Sequence, residues 1–326
     1  MEKILEIKNL TVHFPLKTGL FSFPQVVHAV DGISFDIIKS EILGIVGESG
    51  CGKSSLARAL IGLNHITSGE VIFQKDKHLE KMNKDGWHQI YKDIQFIFQD
   101  PISALNPRMT VAEIIMEPLT VYHTELRKRE MLEKVIAIME LVGLSTNQIN
   151  RYPSEFSGGQ CQRIGIARAL ILNPKLLICD EAVSALDASI KAQIINLLKD
   201  LQQKLGLTIL FISHDLSIVK HICDRVLVMY LGNIMELADK ETLYTKSHHP
   251  YTKVLLASVP DANPKLENGK RVDILSGELP SAANPPHGCV FSTRCKLADD
   301  ICRAKRPELR NMDDGTIVAC FKAQYS

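Results

Sequence analysis

Between an apolar run, Ile42–Val46, and a helix-forming stretch that begins at Lys53 lies the octapeptide Gly47-Glu48-Ser49-Gly50-Cys51-Gly52-Lys53-Ser54. It fits G-x-x-x-x-G-K-[ST], and its flanks supply the buried strand and the helix that give this pattern its meaning. Glycines let successive backbone N–H groups turn inward on phosphate oxygens, and the helix N-terminus adds a favourable dipole. Lys53 brings a point charge and Ser54, followed by Ser55, a magnesium ligand. An apolar run without alternation suits a strand buried on both faces, so an α/β chain is expected.

The rest of the sequence extends this reading. Apolar and polar positions alternate through the first forty residues, as in Ile4-Leu5-Glu6-Ile7 and Val30-Asp31-Gly32-Ile33-Ser34-Phe35, which predicts an antiparallel sheet with one buried face, interrupted by a loop over Pro15–Pro24. A helix is expected from Lys53 to about Leu63 and a strand at Ile94–Phe98. Leu132, Val135, Ile136, Met139 and Val142 recur at helical spacing, so Arg108 to about Asn173 reads as mostly helical. Apolar runs at Leu176–Cys179, Leu207–Ile212 and Val226–Met229, separated by amphipathic stretches, then rebuild a parallel sheet. The proline-containing polar stretch Pro260–Lys270 reads as a linker. With 326 residues there is room for one large core and an appended unit. A net charge of +1 offers no field for nucleic acid, so no such partner is expected. The N-terminus lacks a signal-peptide pattern and no apolar stretch approaches the roughly 18 residues that cross a bilayer, so membrane contact is expected only through partners.

Two further motifs carry chemistry. Leu176-Leu-Ile-Cys-Asp180-Glu181 is an apolar strand ending in two acids, the arrangement needed to order magnesium and supply a carboxylate base. Ser157-Gly158-Gly159-Gln160 has the form of a capping box, and its two glycines also leave bare N–H groups at a helix N-terminus where a phosphate could dock. One phosphate loop and one such cap suggest two half-sites.

In order, the phosphate loop, Gln99 in Phe-Ile-Phe-Gln-Asp, Ser-Gly-Gly-Gln, Asp-Glu, Ser-Ala-Leu-Asp187 and Ser-His214-Asp resemble the ABC-transporter ATPases over about Leu5 to Glu236. The resemblance implies a P-loop ABC-type nucleotide-binding domain over 1–258, with a RecA-like parallel core, an antiparallel β subdomain and an α-helical subdomain at about 106–172. It implies ATP and Mg2+, the metal met by Ser54, Gln99 and Asp180. Glu181 would polarise the attacking water, His214 hold the γ-phosphate, and Phe14, or alternatively Phe21 or Phe23, stack on adenine. Ser157–Gln160 would act in trans on a partner's nucleotide and Asp187 touch the opposite site. Ala182 stands where the family usually has proline after the Asp-Glu pair, and Phe156 stands where leucine often precedes the Ser-Gly-Gly-Gln motif.

Residues 97–108, His249-Pro-Tyr-Thr252 and Gly277-Glu-Leu-Pro280 narrow the resemblance to the oligopeptide and dipeptide importer branch, and within it to the F-type ATPase subunits. That branch implies pairing with a paralogous D-type ATPase subunit, two transmembrane permease subunits, an external peptide-binding protein, and a peripheral place on the cytoplasmic face of the bacterial inner membrane. Nickel, glutathione or antimicrobial-peptide cargo, and a soluble non-transport ABC ATPase, are the alternatives. In residues 259–326, Cys289, Cys295, Cys302 and Cys320 lack the C-x2-C knuckles of structural zinc, and their spacing matches no ferredoxin run. Spacing alone leaves a cluster, reduced thiols, zinc or disulfides open; the resemblance implies a [4Fe–4S] ligand set.

Overall fold

The computed structural model describes residues 2–16, 25–258 and 277–323. Phe21, Phe23 and the expected linker Pro260–Lys270 lie outside the described residues. The chain divides into two compact units, one of Met1–Ile4, Ile38–Ile42 and Lys81–Ile212, the other of Leu5–Ile37, Leu43–Glu80 and Ser213–Ser326.

In the first unit, strands β6 (Ile94–Ile97), β7 (Leu176–Asp180) and β8 (Thr208–Ile212) pair in parallel, Ile94 opposite Leu176 and Leu176 opposite Thr208. Every residue of β7 and β8 is buried, as their unbroken apolar sequences require. Helices α2 (Lys84–Asp93), α3 (Val111–Tyr122), α4 (Lys128–Leu141), α5 (Gly158–Leu170) and α6 (Ala188–Leu205) complete the unit. Helix α4 buries Met131, Val135 and Met139, one i, i+4, i+8 stripe; Leu132, which the periodicity placed on this face, is exposed.

In the second unit, an antiparallel sheet in the order β2-β1-β4-β5 is built from β1 (Lys3–Leu16), β2 (Gln25–Ile38), β4 (Ser68–Phe73) and β5 (Lys77–His78), with Leu5 opposite Phe73. Strand β3 (Ile42–Val46), fully buried, pairs in parallel with β9 (Arg225–Tyr230) and leads into α1 (Lys53–Leu60). Helix α1 stops short of the expected Leu63, because Gly62 takes a left-handed φ of 70°. After α7 (Leu216–Ile222) and β9, the chain departs from parallel alternation: β10 (Asn233–Asp239) returns antiparallel to β9 and in turn pairs with β12 (Ile317–Val318), itself paired with β11 (Arg310–Asn311). Helices α8 (Lys240–Lys246) and α9 (Pro250–Ala257) pack against β10, and α10 (Asp300–Ala304) follows in the C-terminal segment. Among the described residues no helix is long and apolar enough to cross a membrane.

Candidate nucleotide site

The phosphate loop is shaped by contacts that only glycine permits. A Cβ on Gly47 would lie 2.2 Å from the Met229 carbonyl oxygen, and one on Gly52 2.0 Å from that of Ala29; both residues have positive φ, 153° and 105°. Gly52 opens α1, and no side chain caps that helix. The N-termini of α3, α5 and α6 are instead capped by Thr110, Ser157 and Asp187. An uncapped first turn leaves its N–H groups to an anion. Lys53 is buried, its Nζ donating to the carbonyls of Gly47 at 2.8 Å and Glu48 at 2.9 Å. The ammonium thus sits inside the loop's curve, where phosphate oxygens would replace those carbonyls. Cys51 is buried beneath the loop and burial pushes its thiol up, so it packs rather than reacts. Ser49 and Gly50 are exposed, Ser54 and Ser55 half-buried.

Two residues outside the motif fix the loop from behind. The Glu48 N–H donates to the hydroxyl of Tyr251 at 3.0 Å, and the Glu48 carboxylate accepts from Arg294 Nη1 at 3.0 and 2.8 Å. Tyr251 is wholly buried, packed against Tyr230 and Phe291, and burial pushes its phenol well up. The His-Pro-Tyr-Thr motif thereby acquires a physical account: His249 caps α9 by accepting from the Tyr251 N–H, and Tyr251 reaches the loop. Arg294 stands between Cys289 and Cys295; a basic residue inside that cysteine spacing was the one available signal for it. His214 is exposed in the turn before α7, where Ser213 N–H donates to Ile45 O of β3 and Asp215 caps the helix. Phe14, near the end of β1, is 36% exposed, an aromatic face open to a stacking partner.

The acidic residues belong to the first unit. Asp180 is buried at the carboxyl end of β7. Glu181 follows at φ 50°, a left-handed conformation that costs a non-glycine residue roughly 1–3 kcal/mol and clusters at functional sites. The turn is held by Glu181 N–H to Ile212 O at 3.1 Å and by Ser184 donating to Glu181 O through N–H at 3.0 Å and Oγ at 2.9 Å. Ala182, buried beside it, does not leave this turn unsupported. Gln99, exposed just past β6, donates from Nε2 to Glu181 Oε2 at 2.9 Å, which brings together two side chains 82 positions apart. Ser157 and Gln160 form the reciprocal capping box of α5, with Ser157 N–H donating to Gln160 Oε1 at 3.0 Å and Gln160 N–H to Ser157 Oγ at 3.4 Å. Ser157 nevertheless faces solvent. Gly158 and Gly159 lie against Leu186 and Ile190, so the signature turn and the α6 cap at Asp187 are packed side by side.

All four terminal cysteines are free thiols; Cys289, Cys302 and Cys320 are buried and Cys295 is partly exposed. Burial pushes the Cys289 thiol up to about 11, helped by the fields of Cys320, Cys302 and Cys295, so the four share one neighbourhood. Cys289 N–H donates to Cys302 O at 2.8 Å, and Lys322 N–H to Cys320 Sγ at 3.3 Å.

Comparison with known proteins places these features. Residues 30–184 match the family model "ABC transporter" and residues 235–302 the model "Oligopeptide/dipeptide transporter, C-terminal region". The oligopeptide transport ATP-binding protein OppF of Haemophilus influenzae is 54% identical over 98% of this chain and 97% of its own. AppF of Bacillus subtilis is 50% identical over 98% and 97%. Among solved structures, the ATP-binding cassette MJ0796, in a dimeric post-hydrolysis state bound to ADP and Pi, superposes with a TM-score of 0.64 at 28% identity over 72% of this chain and 98% of its own.

Proposed function

The chain belongs to the ABC transporter family, among the ATP-binding subunits of its oligopeptide importers, and we propose on that premise that it is the ATPase energising peptide import across the cytoplasmic membrane. The observation that carries the proposal is the loop around Lys53, where buried ammonium, forced glycines and an uncapped helix start combine into a receptor for nucleotide phosphates.

The roles follow from what each group can do. Backbone N–H groups of Gly47–Ser55 hold the β- and γ-phosphates, Lys53 neutralises their charge, and Phe14 stacks on the base. Ser54, Gln99 and Asp180 would hold Mg2+, which neutralises charge developing on the transferred phosphoryl group. Glu181 is an acceptor for a proton of the attacking water, and the Gln99 amide orients its carboxylate. His214 donates to the γ-phosphate. Ser157, with the N–H groups of Gly158–Gln160, serves a nucleotide held by a second ATPase subunit, and Asp187 touches that subunit's site; that MJ0796 is described as a dimeric cassette supports pairing of two such subunits. Membership in the oligopeptide branch supports a paralogous D-type partner, two permease subunits, an external peptide-binding protein and a peripheral place at the inner face of the membrane.

Residues 259–326 are read as the branch's C-terminal extension, beyond a nucleotide-binding domain ending near 258 with its helical subdomain at about 106–172. The four cysteines, where the fields of the other three reach the Cys289 thiol, suit a [4Fe–4S] cluster with one thiolate on each iron. Bound there, it would supply a structural clamp, and the Lys322 N–H would donate to the Cys320 sulfur. Protein purified without oxygen should be brown, with stoichiometric iron and sulfide; colourless protein holding one zinc rejects the cluster. For the activity, vesicles carrying the assembled transporter should lose peptide uptake, with turnover reduced about 100-fold or more, on Glu181→Gln. Unchanged uptake rejects this chain's own site as a motor.

A further inference from the structure

Three side chains of the second unit that have no role in nucleotide chemistry converge beside the antiparallel sheet. His13 on β1 and His28 on β2 bring their imidazoles to 4.2 Å between ring centroids at 63°. Asp31 turns Oδ1 toward both, 3.5 Å from His13 Nε2 and 3.8 Å from His28 Nδ1. Both nitrogens are sealed from solvent, and the polar atom they face is Asp31 Oδ1. The separations exceed those of N–H···O bonds, which centre near 2.9 Å. The three donor atoms all lie within 4.8 Å of one another. Ligands disposed tetrahedrally on a metal with bonds of about 2.0–2.2 Å sit roughly 3.3–3.6 Å apart.

The surroundings are those of a supported ligand set. Asp31 Oδ2 accepts from Arg306 Nη1 at 2.6 Å, which leaves Oδ1 for the histidine side and fixes the carboxylate plane. Each backbone is tied down as well: His13 N–H to Thr67 Oγ1 at 2.9 Å, His28 N–H to Ala282 O at 2.9 Å, and Asp31 N–H to Gly232 O at 2.9 Å. A cavity of about 370 Å3, lined in part by Asp31, Asn233 and Arg306, offers a path to the carboxylate.

We propose that His13, His28 and Asp31 bind a divalent transition-metal ion, by donor class Zn2+, with water completing the coordination. The ion fastens β1 and β2 at the point where Arg306, from the C-terminal segment, reaches Asp31. It is separate from the cysteine site, and imidazole and carboxylate ligation distinguishes the two.

The test is Co2+ titration of metal-stripped full-length chain, followed by Zn2+ displacement and elemental analysis. Thiolate ligation gives an intense charge-transfer band; the expected result is one equivalent bound without that band, and a melting temperature raised by Zn2+. His28→Ala and His13→Gln should each weaken that equivalent at least about tenfold, since loss of a ligand exceeds loss of an outer-shell partner. Either variant suffices if the other does not fold. Binding only with the thiolate band, or a thiolate-free equivalent unchanged in a folded variant, overturns the proposal and leaves the trio as a histidine–aspartate charge pair.

Discussion

At the scale of single residues, the phosphate loop is held by close approaches and by two long-range anchors. Gly52→Ala would drive a methyl group into a backbone carbonyl 2.0 Å away at a φ that alanine resists. The expected outcome is a stability loss of about 2 kcal/mol or more, with ATP binding weakened beyond tenfold, measured by denaturant unfolding and fluorescent-nucleotide titration. Arg294→Met removes the charged bond to Glu48 from outside the motif. Charged hydrogen bonds contribute about 1.5–3 kcal/mol, and if half of that reaches the nucleotide, affinity should fall about four- to twelvefold, with Arg294→Lys partly restoring it. Unaltered ATP affinity in Arg294→Met would reduce that pair to a packing contact. Gly47–Ser54, Asp180, Glu181 and Ser157–Gln160 were legible in the sequence because a few adjacent residues determine each local geometry. The contacts of Tyr251 and Arg294 with the loop were not, for these residues lie 203 and 246 positions from Glu48 and only the folded chain brings them there. The left-handed Glu181 was likewise silent, since nothing in Asp-Glu-Ala announces a positive φ.

At the scale of elements, the apolar runs announced β3, β7 and β8, because strands buried on both faces need no partner pattern to be recognised. The edge from β10 to β12 escaped that reading. Its two-residue strands carry no periodicity, and β10 turns antiparallel through a pairing that lies in tertiary contacts. Helix α9 shows how this edge is stabilised. Its cap, His249, is wholly buried, and burial lowers its imidazole from an ordinary 6.5 to about 3. Below pH 6.5 the unfolded chain takes up a proton there that the folded chain refuses, so stability declines as pH falls, until about pH 3. The slope attributable to this residue is at most about 1.4 kcal/mol per pH unit. Urea midpoints measured from pH 7 down to 5 should fall in the wild type, and His249→Asn, which keeps a capping acceptor, should flatten that fall. Equal slopes in both proteins would place the titration elsewhere.

At the scale of the whole molecule, the proposed function makes the phosphate loop half of a catalytic arrangement and the Ser157 turn, which faces solvent, the half offered to a partner. On that proposal the chain should bind nucleotide by itself and hydrolyse it when another ATPase subunit supplies the missing cap. Removing Mg2+ with a chelator should leave nucleotide binding measurable while turnover drops to background, because the metal's work is on developing charge. The measurement that goes furthest is ATP turnover per copy of this chain, alone and in the assembled transporter, at matched concentration. Dependence on assembly predicts a rise of about tenfold or more on assembly, since preorganised donors to the γ-phosphate arrive from the partner. An isolated chain that hydrolyses ATP at the full rate of the complex would contradict it.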